Sequence, residues 1–421
     1  MQRPIASDFK RGRESFTRDG ALSPELLISL LVYMASDGGR RGYQQVLDAF
    51  WDEAKSSGVA LPTADPVSSA SFCNARKRIC AAAVRQVLLD ASAEFDRVHG
   101  PAHRFQGRRV LAVDGSKMHL QRSPQLWAEF GGHSGGLVPQ VLVTVLFDVI
   151  AKLPVDAVIA PYASDERAQL GRLLPSTREG DILVLDRGYP SYVVFDLLLE
   201  QRVDFVVRVP AEGGYLAVEE FTRSGRVDAD VTLTPAPGTR AGKISSKTLR
   251  AVRSIGPEGQ LRILLTSLPR SQFTRESICA LYERRWQVEL FYRLEKSDYV
   301  GHHQFHAKSP EGVRQEVFAF LLYTAITRTL MAAAARKHGV TYPRMSQKSA
   351  LLATARVLTM ILLECDPRCL RRVLPALLRR LAVRLEPIRP RRSCPRRSFK
   401  PRPRWEPKGQ ACAHVRREDV R

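Results

Sequence analysis

Two short stretches, RRVLAVDGS at 108–116 and DILVLDRGY at 181–189, decide how the chain reads. Each is a run of branched apolar residues that stops at an aspartate and gives way to glycine. Such runs, bounded by turn residues, predict buried strands, and open sheets collect ligands where their strands end. Asp114 and Asp186 are thereby placed at two strand ends. One DG after a strand is an ordinary turn, but two aspartates so placed invite a search for a third carboxylate.

Outward from these, VPQVLVTVLFDVI, LPVDAVIA and VDFVVRVP predict further strands, and SDERAQLGRLL at 164–174 and SYVVFDLLLEQR predict helices. The order strand, strand, strand, helix, strand, helix, strand suits a mixed sheet flanked by helices, its opening strands antiparallel. Ser164 is the expected cap of the 164–174 helix. From 24 to about 98 the apolar residues recur at helical spacing, which predicts a small helical domain within 1–104. The sheet core then occupies 105–210. Residues 211–260, with YLAVEEFTRSGRV, DVTLTPAPGTRAG and KTLRAVRSI, read as a polar, β-rich insertion. LRILLTSL opens a second core segment over 261–309, which continues into a long helix from near Ser271. Residues 310–385 are helical again, and 386–421 form a Pro/Arg-rich tail expected to lack fixed structure.

The chain of 421 residues carries 65 Lys and Arg against 43 Asp and Glu, a formal charge of +22. A surplus this large points to a polyanionic partner. The tail holds 12 Lys and Arg against four acids, so the remainder is strongly basic in its own right. A membrane role is disfavoured: the apolar run VFAFLLYTAIT at 317–327 stops at Arg328, short of a spanning length, and the charged N-terminus lacks a signal-peptide core. Seven cysteines without paired spacing exclude a zinc knuckle or disulfide framework and fit a reduced, cytoplasmic protein. The segment DPVSSASFCNARKRI predicts a helix carrying Arg76, Lys77 and Arg78, whose basic face would be solvated or lie along DNA.

The third carboxylate is found in YERRWQVELFYRLEK at 282–296. On an ideal helix Tyr282, Arg285, Glu289 and Lys296 lie within about 60° of arc. Glu283 and Glu295 fall off that stripe, and Trp286 borders it. One carboxylate thus sits in a row of side chains suited to phosphates, beside an aromatic suited to an unpaired base. An exposed helix laced with i,i+4 ion pairs, such as Arg285 with Glu289, reads the same stretch equally well. With the two aspartates added, the trio becomes a hard oxygen set for Mg²⁺ or Mn²⁺.

The spacing Tyr282-x2-Arg285-x3-Glu289-x6-Lys296 resembles the YREK signature of the insertion-sequence-4 family of bacterial DDE transposases. VDGS around Asp114 and DRGY around Asp186 are similar to that family's two aspartate motifs, and HQFHAKSPEG with the helix after it is similar to its downstream region. The likeness covers about 105–330 well and the helical N-terminal part loosely. It implies an α/β, RNase H-like catalytic core with a β-rich insertion between the second aspartate and the glutamate, plus an N-terminal helical DNA-binding domain and C-terminal helices. It further implies that Asp114, Asp186 and Glu289 hold two Mg²⁺ or Mn²⁺ ions and are catalytic, and that Tyr282, Arg285 and Lys296 hold DNA phosphates. Trp286 would help manage the DNA end, and Arg187 would contact DNA or neutralise Asp186. The implied partners are terminal inverted repeats and target DNA, bound by a homodimer, with cut-and-paste transposition as the activity. A nuclease of the same fold that does not join strands, and a transposase-derived DNA-binding protein, remain as alternatives.

Other features were weighed. His302, His303 and His306 lack a completing ligand set and are expected to border a DNA channel or the surface. GGHSGG at 131–136 lacks the lysine of a phosphate loop and is expected to join two strands. Ser116 and Lys117 follow Asp114 much as Arg187 follows Asp186.

Overall fold

The computed structural model describes residues 20–38, 41–235, 245–256, 259–293, 305–363 and 367–387. Among these residues the strands are β1 (Val110–His119), β2 (Gln140–Asp148), β3 (Leu153–Pro161), β4 (Ile182–Leu185), β5 (Asp204–Val209), β6 (Asp228–Leu233), β7 (Lys247–Ile255) and β8 (Leu261–Thr266). They form one sheet in the order β3-β2-β1-β4-β5-β8-β7-β6. β1, β2 and β3 are antiparallel, while β4 pairs in parallel with both β1 and β5. An antiparallel meander joined to parallel strands in this order is an RNase H-like core. β8, β7 and β6 extend the same sheet antiparallel beyond β5, so the strands of the 211–260 segment widen the core sheet.

Because strand side chains alternate between faces, parity sorts the core. Val110, Ala112, Ile182 and Val184 pack on one face, with the N- and C-terminal helices. Leu111, Val113, Leu183 and Leu185 pack on the other. The first face is covered by α1 (Pro24–Ser36), α2 (Tyr43–Ser56), α3 (Ser69–Arg76), α4 (Ala81–His99), α5 (Pro124–Phe130) and the later helices α9 (Arg275–Glu283), α10 (Trp286–Arg293), α11 (Pro310–His338), α12 (Gln347–Ala355), α13 (Leu358–Leu362) and α14 (Pro367–Val383). The second is covered by α6 (Glu166–Leu173), α7 (Tyr192–Glu200) and α8 (Leu216–Arg223). α11 is long and apolar enough to cross a bilayer, yet here it is mostly buried as a core helix against α1, α4, α14 and β3.

Several expectations need correction. YLAVEEFTRSGRV, read as strand-like, contains α8: Val218 and Phe221 share a buried helical face, and Glu219 pairs with Arg223 one turn on at 3.2 Å. The helix expected from near Ser271 begins at Arg275 under a Thr274 cap and breaks after Glu283. At the break the amides of Arg284, Arg285, Gln287 and Val288 donate to carbonyls three residues back, which tightens the backbone between α9 and α10. α6 is capped by Asp165, whose carboxylate accepts from the Arg167 amide, and not by Ser164. GGHSGG joins a helix to a strand, α5 to β2, and Ser123-PQLWAEF had concealed that helix behind its proline start.

Arg76 is also not part of an open basic face. It is buried, donating from Nε to Gln315 at 3.0 Å, from Nη1 to Glu316 at 3.0 Å and Tyr43 at 2.8 Å, and from Nη2 to the Gly312 carbonyl at 3.0 Å. It pins α3 to α11; Lys77 and Arg78 stay exposed. His306 belongs to this seam: its amide donates to Glu316 at 2.8 Å and its ring bonds the Arg41 carbonyl at 2.7 Å.

Candidate active site

The β1–β4 register sets the site. The parallel pairing ends at Ala112 opposite Val184. Asp114, within β1, and Asp186, the first residue after β4, each lie two residues further along. Parity then aims both at the face that carries α10. At the opposite end of the strand pair, Asp181 is bound by the buried Arg109 guanidinium, with Nε at 3.0 Å, which locks the register. Asp114 does not end its strand: β1 runs on to His119 against β2, so Asp114 sits where β1 parts from β4.

α10 brings Glu289 to this point. Val288, Phe291 and Tyr292 bury the helix against the sheet, and the Tyr292 hydroxyl donates to the carbonyls of Asp114 at 2.9 Å and Val143 at 3.0 Å. Glu289 is thereby turned toward the strand ends. Its carboxylate accepts from Arg285 Nη2 at 2.5 Å. The same guanidinium lies in the fields of Asp186 and Asp114, and its pKa is raised by Asp186, Tyr282 and Glu289 despite burial. Arg285 therefore sits among the three acids. Tyr282 stays beside Arg285, whose guanidinium lies 6.0 Å from its ring centre, and its buried hydroxyl donates to Asp186 at 3.4 Å. Burial, with Asp186 adding, pushes that hydroxyl up to about 12.

The Asp114 carboxyl is held well above the usual carboxylate range. Burial first, then the charges of Glu289 and Glu166, drive it up to about 7, against the pull of Arg285. Oxygen-only donors such as these acids suit a hard divalent cation. As placed, among the described residues, no three His, Cys, Asp or Glu side chains stand together as a ligand set. Arg285 pairs with Glu289, and the Tyr282 hydroxyl donates to Asp186.

Trp286 opens α10 with its ring exposed, and Arg187 is exposed directly after Asp186. Lys296, His302 and His303 lie outside the described residues, as do 388–421. Reading the sequence missed Glu166, Tyr189 and Tyr292. Tyr292, three residues after Glu289 and one helical turn on, carried a usable signal. Glu166 hides in what reads as an ordinary helix start, and Tyr189 ends the DRGY motif with no signal of its own.

The profile of the family described as the transposase DDE domain matches residues 105–325. The transposase InsG for insertion sequence element IS4 of Escherichia coli is 26% identical over 288 residues, covering 65% of this chain and 63% of that protein. The protein y4zB of Sinorhizobium fredii, which carries a transposase name, is 26% identical over 245 residues, covering 57% of this chain and 65% of its own length. The chain thus spans somewhat under two thirds of either relative. A solved synaptic complex of the piggyBac transposase with hairpin DNA aligns with a TM-score of 0.46 at 12% identity, over 91% of this chain and 81% of that one.

Proposed function

The chain belongs to the transposases with a DDE domain, and from that premise we propose that it moves an insertion sequence by cutting DNA at terminal inverted repeats and joining the freed ends to a target. What supports this best is that Arg285, paired with Glu289, also lies in the fields of Asp114 and Asp186 where β1 and β4 part. In this reading the three carboxylates hold a pair of Mg²⁺ or Mn²⁺ ions. Bound there, divalent cations would activate first water and then a 3′-hydroxyl for in-line attack on a phosphodiester, and would neutralise the leaving oxygen.

The side chains around them handle the DNA. Arg285 releases Glu289 and grips a phosphate with its planar fork. Tyr282 and Lys296 hold neighbouring phosphates, the exposed Trp286 ring stacks on a base at the end, and Arg187 contacts the backbone. Exposed Lys77 and Arg78, and the arginines on the outer face of α14 (Arg371, Arg372, Arg379, Arg380), add salt-dependent affinity. Two copies acting as a homodimer would hold two ends.

Glu289→Ala tests the reading. Mg²⁺-dependent cleavage of an end duplex should fall at least about a thousandfold, with binding of that duplex retained. Full activity, or equal loss of cleavage and binding, would sink the assignment. Cleavage by the parent chain without strand-transfer products on a target plasmid would instead mark a nuclease.

A further inference from the structure

The glycine loop GGHSGG at 131–136, and the end of the sheet that it crosses, have no part in the mechanism above. β1 runs on past Asp114 to His119, paired all the way with β2, whereas β4 stops at Leu185. At about 3.3 Å per residue this overhang reaches about 17 Å beyond Asp114. α5 and the glycine loop close its far end. There the Tyr162 amide donates to the Phe130 carbonyl at 2.8 Å, and the Gln140 amide to the Gly131 carbonyl at 2.9 Å.

Tryptophan is highly buried on average, yet Trp127 on α5 leaves 36% of its surface open. Its ring lies on the loop: a methyl added at Gly132 would come within 2.9 Å of Cζ3 and 3.0 Å of Cη2. Bare backbone therefore seats the indole from one side, and the rest of the ring faces outward. His133, the next residue, meets the Tyr162 ring edge-on, with ring centres 6.5 Å apart. The Lys117 ammonium stands 3.8 Å from the centre of that same ring. A ring attracts an ammonium without neutralising it, so this positive charge stays available at the end of β1. Arg122 is exposed just before α5, and Lys308 is exposed where its carbonyl accepts from Ser123 Oγ at 2.8 Å. Glu129, the acid of α5, is paired with Arg314.

Resting on the function proposed above, we infer that this overhang holds unpaired DNA: the Trp127 ring stacks on a base, while Lys117, Arg122 and Lys308 meet the phosphates around it. An aromatic face beside unneutralised cations is the chemistry that a single strand fits. The continuity of β1 joins it to the strand that carries Asp114. Duplex DNA, its bases stacked on one another, offers the ring nothing. The unpaired strand comes from the element's own end or from the target, and the ring takes either alike.

Binding of the full chain to labelled single-stranded oligothymidine and to a blunt duplex of the same length tests this. Trp127→Ala should weaken single-strand binding about 5-fold to 100-fold with the duplex still bound as before, and Trp127→Phe should restore most of the loss. Gly132→Ala keeps the ring but pushes it off its seat, and should also weaken the single strand alone. Lys117→Gln should lower the slope of log affinity against log salt on the single strand by about 0.7. Unchanged single-strand affinity in Trp127→Ala overturns the inference, and so does an equal loss on the duplex, which marks a tryptophan that only supports the fold. If the parent chain binds neither probe, the function proposed above falls as well; if it binds both and Trp127→Ala matches it, this inference falls alone. Reaction assays then name the source of the strand. Slower end cleavage in Trp127→Ala places it at the element's end, and normal cleavage with fewer joined products places it in the target. A variant that cleaves and joins like the parent overturns the inference.

Discussion

Arg76–Glu316 and Arg285–Glu289 are both arginine–glutamate pairs, and they do opposite work. In the first, the side chains are 6% and 5% exposed, and the guanidinium is met by Glu316, Tyr43, Gln315 and the Gly312 carbonyl. A buried charge so completely matched fixes one arrangement and holds α3 on α11. In the second, the side chains are 12% and 28% exposed, and two further acids crowd the guanidinium. In the function proposed above this pair is exchanged, the arginine for a phosphate and the glutamate for a metal ion.

The sharpest way to break this comparison is to delete each arginine in turn and unfold the chain in urea with and without Mn²⁺. Arg76→Ala should cost about 3–5 kcal/mol, since it strands a buried glutamate, and Mn²⁺ should not restore the loss. Arg285→Ala should cost less, about 1–2 kcal/mol, and Mn²⁺ should recover most of it by taking over the freed acids. Equal losses, or a Mn²⁺ rescue of Arg76→Ala, would show that the two pairs do not differ in kind.

Acidity sharpens the comparison further. The pKa of Asp114, about 7 in the fold, lies above the usual carboxylate value. The folded chain therefore holds that proton more tightly than the unfolded chain. Its contribution to stability is full below about pH 4 and is lost as the pH rises through about 7. The same proton competes with a cation. The Mn²⁺ concentration needed for end cleavage should therefore climb about tenfold per pH unit below 7. A metal requirement flat from pH 5 to 8 would remove Asp114 from the cation site.

The smallest effect expected is at Tyr292, which bolts the exchangeable site to the sheet as Arg76 bolts the fixed one. Tyr292→Phe leaves the Asp114 and Val143 carbonyls without that donor. It should lower stability by about 1 kcal/mol while reducing cleavage more than end binding, because Glu289 loses its registration against Asp114. A stability loss with cleavage and binding both unchanged would show that the hydroxyl only glues the helix down.

How much could be read without coordinates depended on the range of the forces involved. Apolar runs ending in aspartate and glycine predict β1 and β4 because burial acts through local pattern, and the spacing from Tyr282 to Lys296 names the later acid. α8 was misread because valine and phenylalanine two or three residues apart serve a strand or a short helix equally well, and only the partner face chooses between them. The break between α9 and α10 escaped notice for a similar reason. An unbroken helix satisfies the local pattern, and the break still leaves Tyr282 beside Arg285 and Arg285 beside Glu289.

The sequence by itself determined that this chain is basic, builds a mixed sheet with helices, and carries two aspartates after apolar strand runs and a glutamate among cations. Side-chain chemistry and short-range periodicity suffice for that. The tertiary structure alone decided which charges meet. It set the level of Asp114 beside Asp186 through the β1–β4 register, withdrew Arg76 into a seam, and laid Glu166 against Gly115. These are contacts between residues tens to hundreds of positions apart, and Coulomb and packing forces act on distance in space, which the order of residues along the chain does not encode.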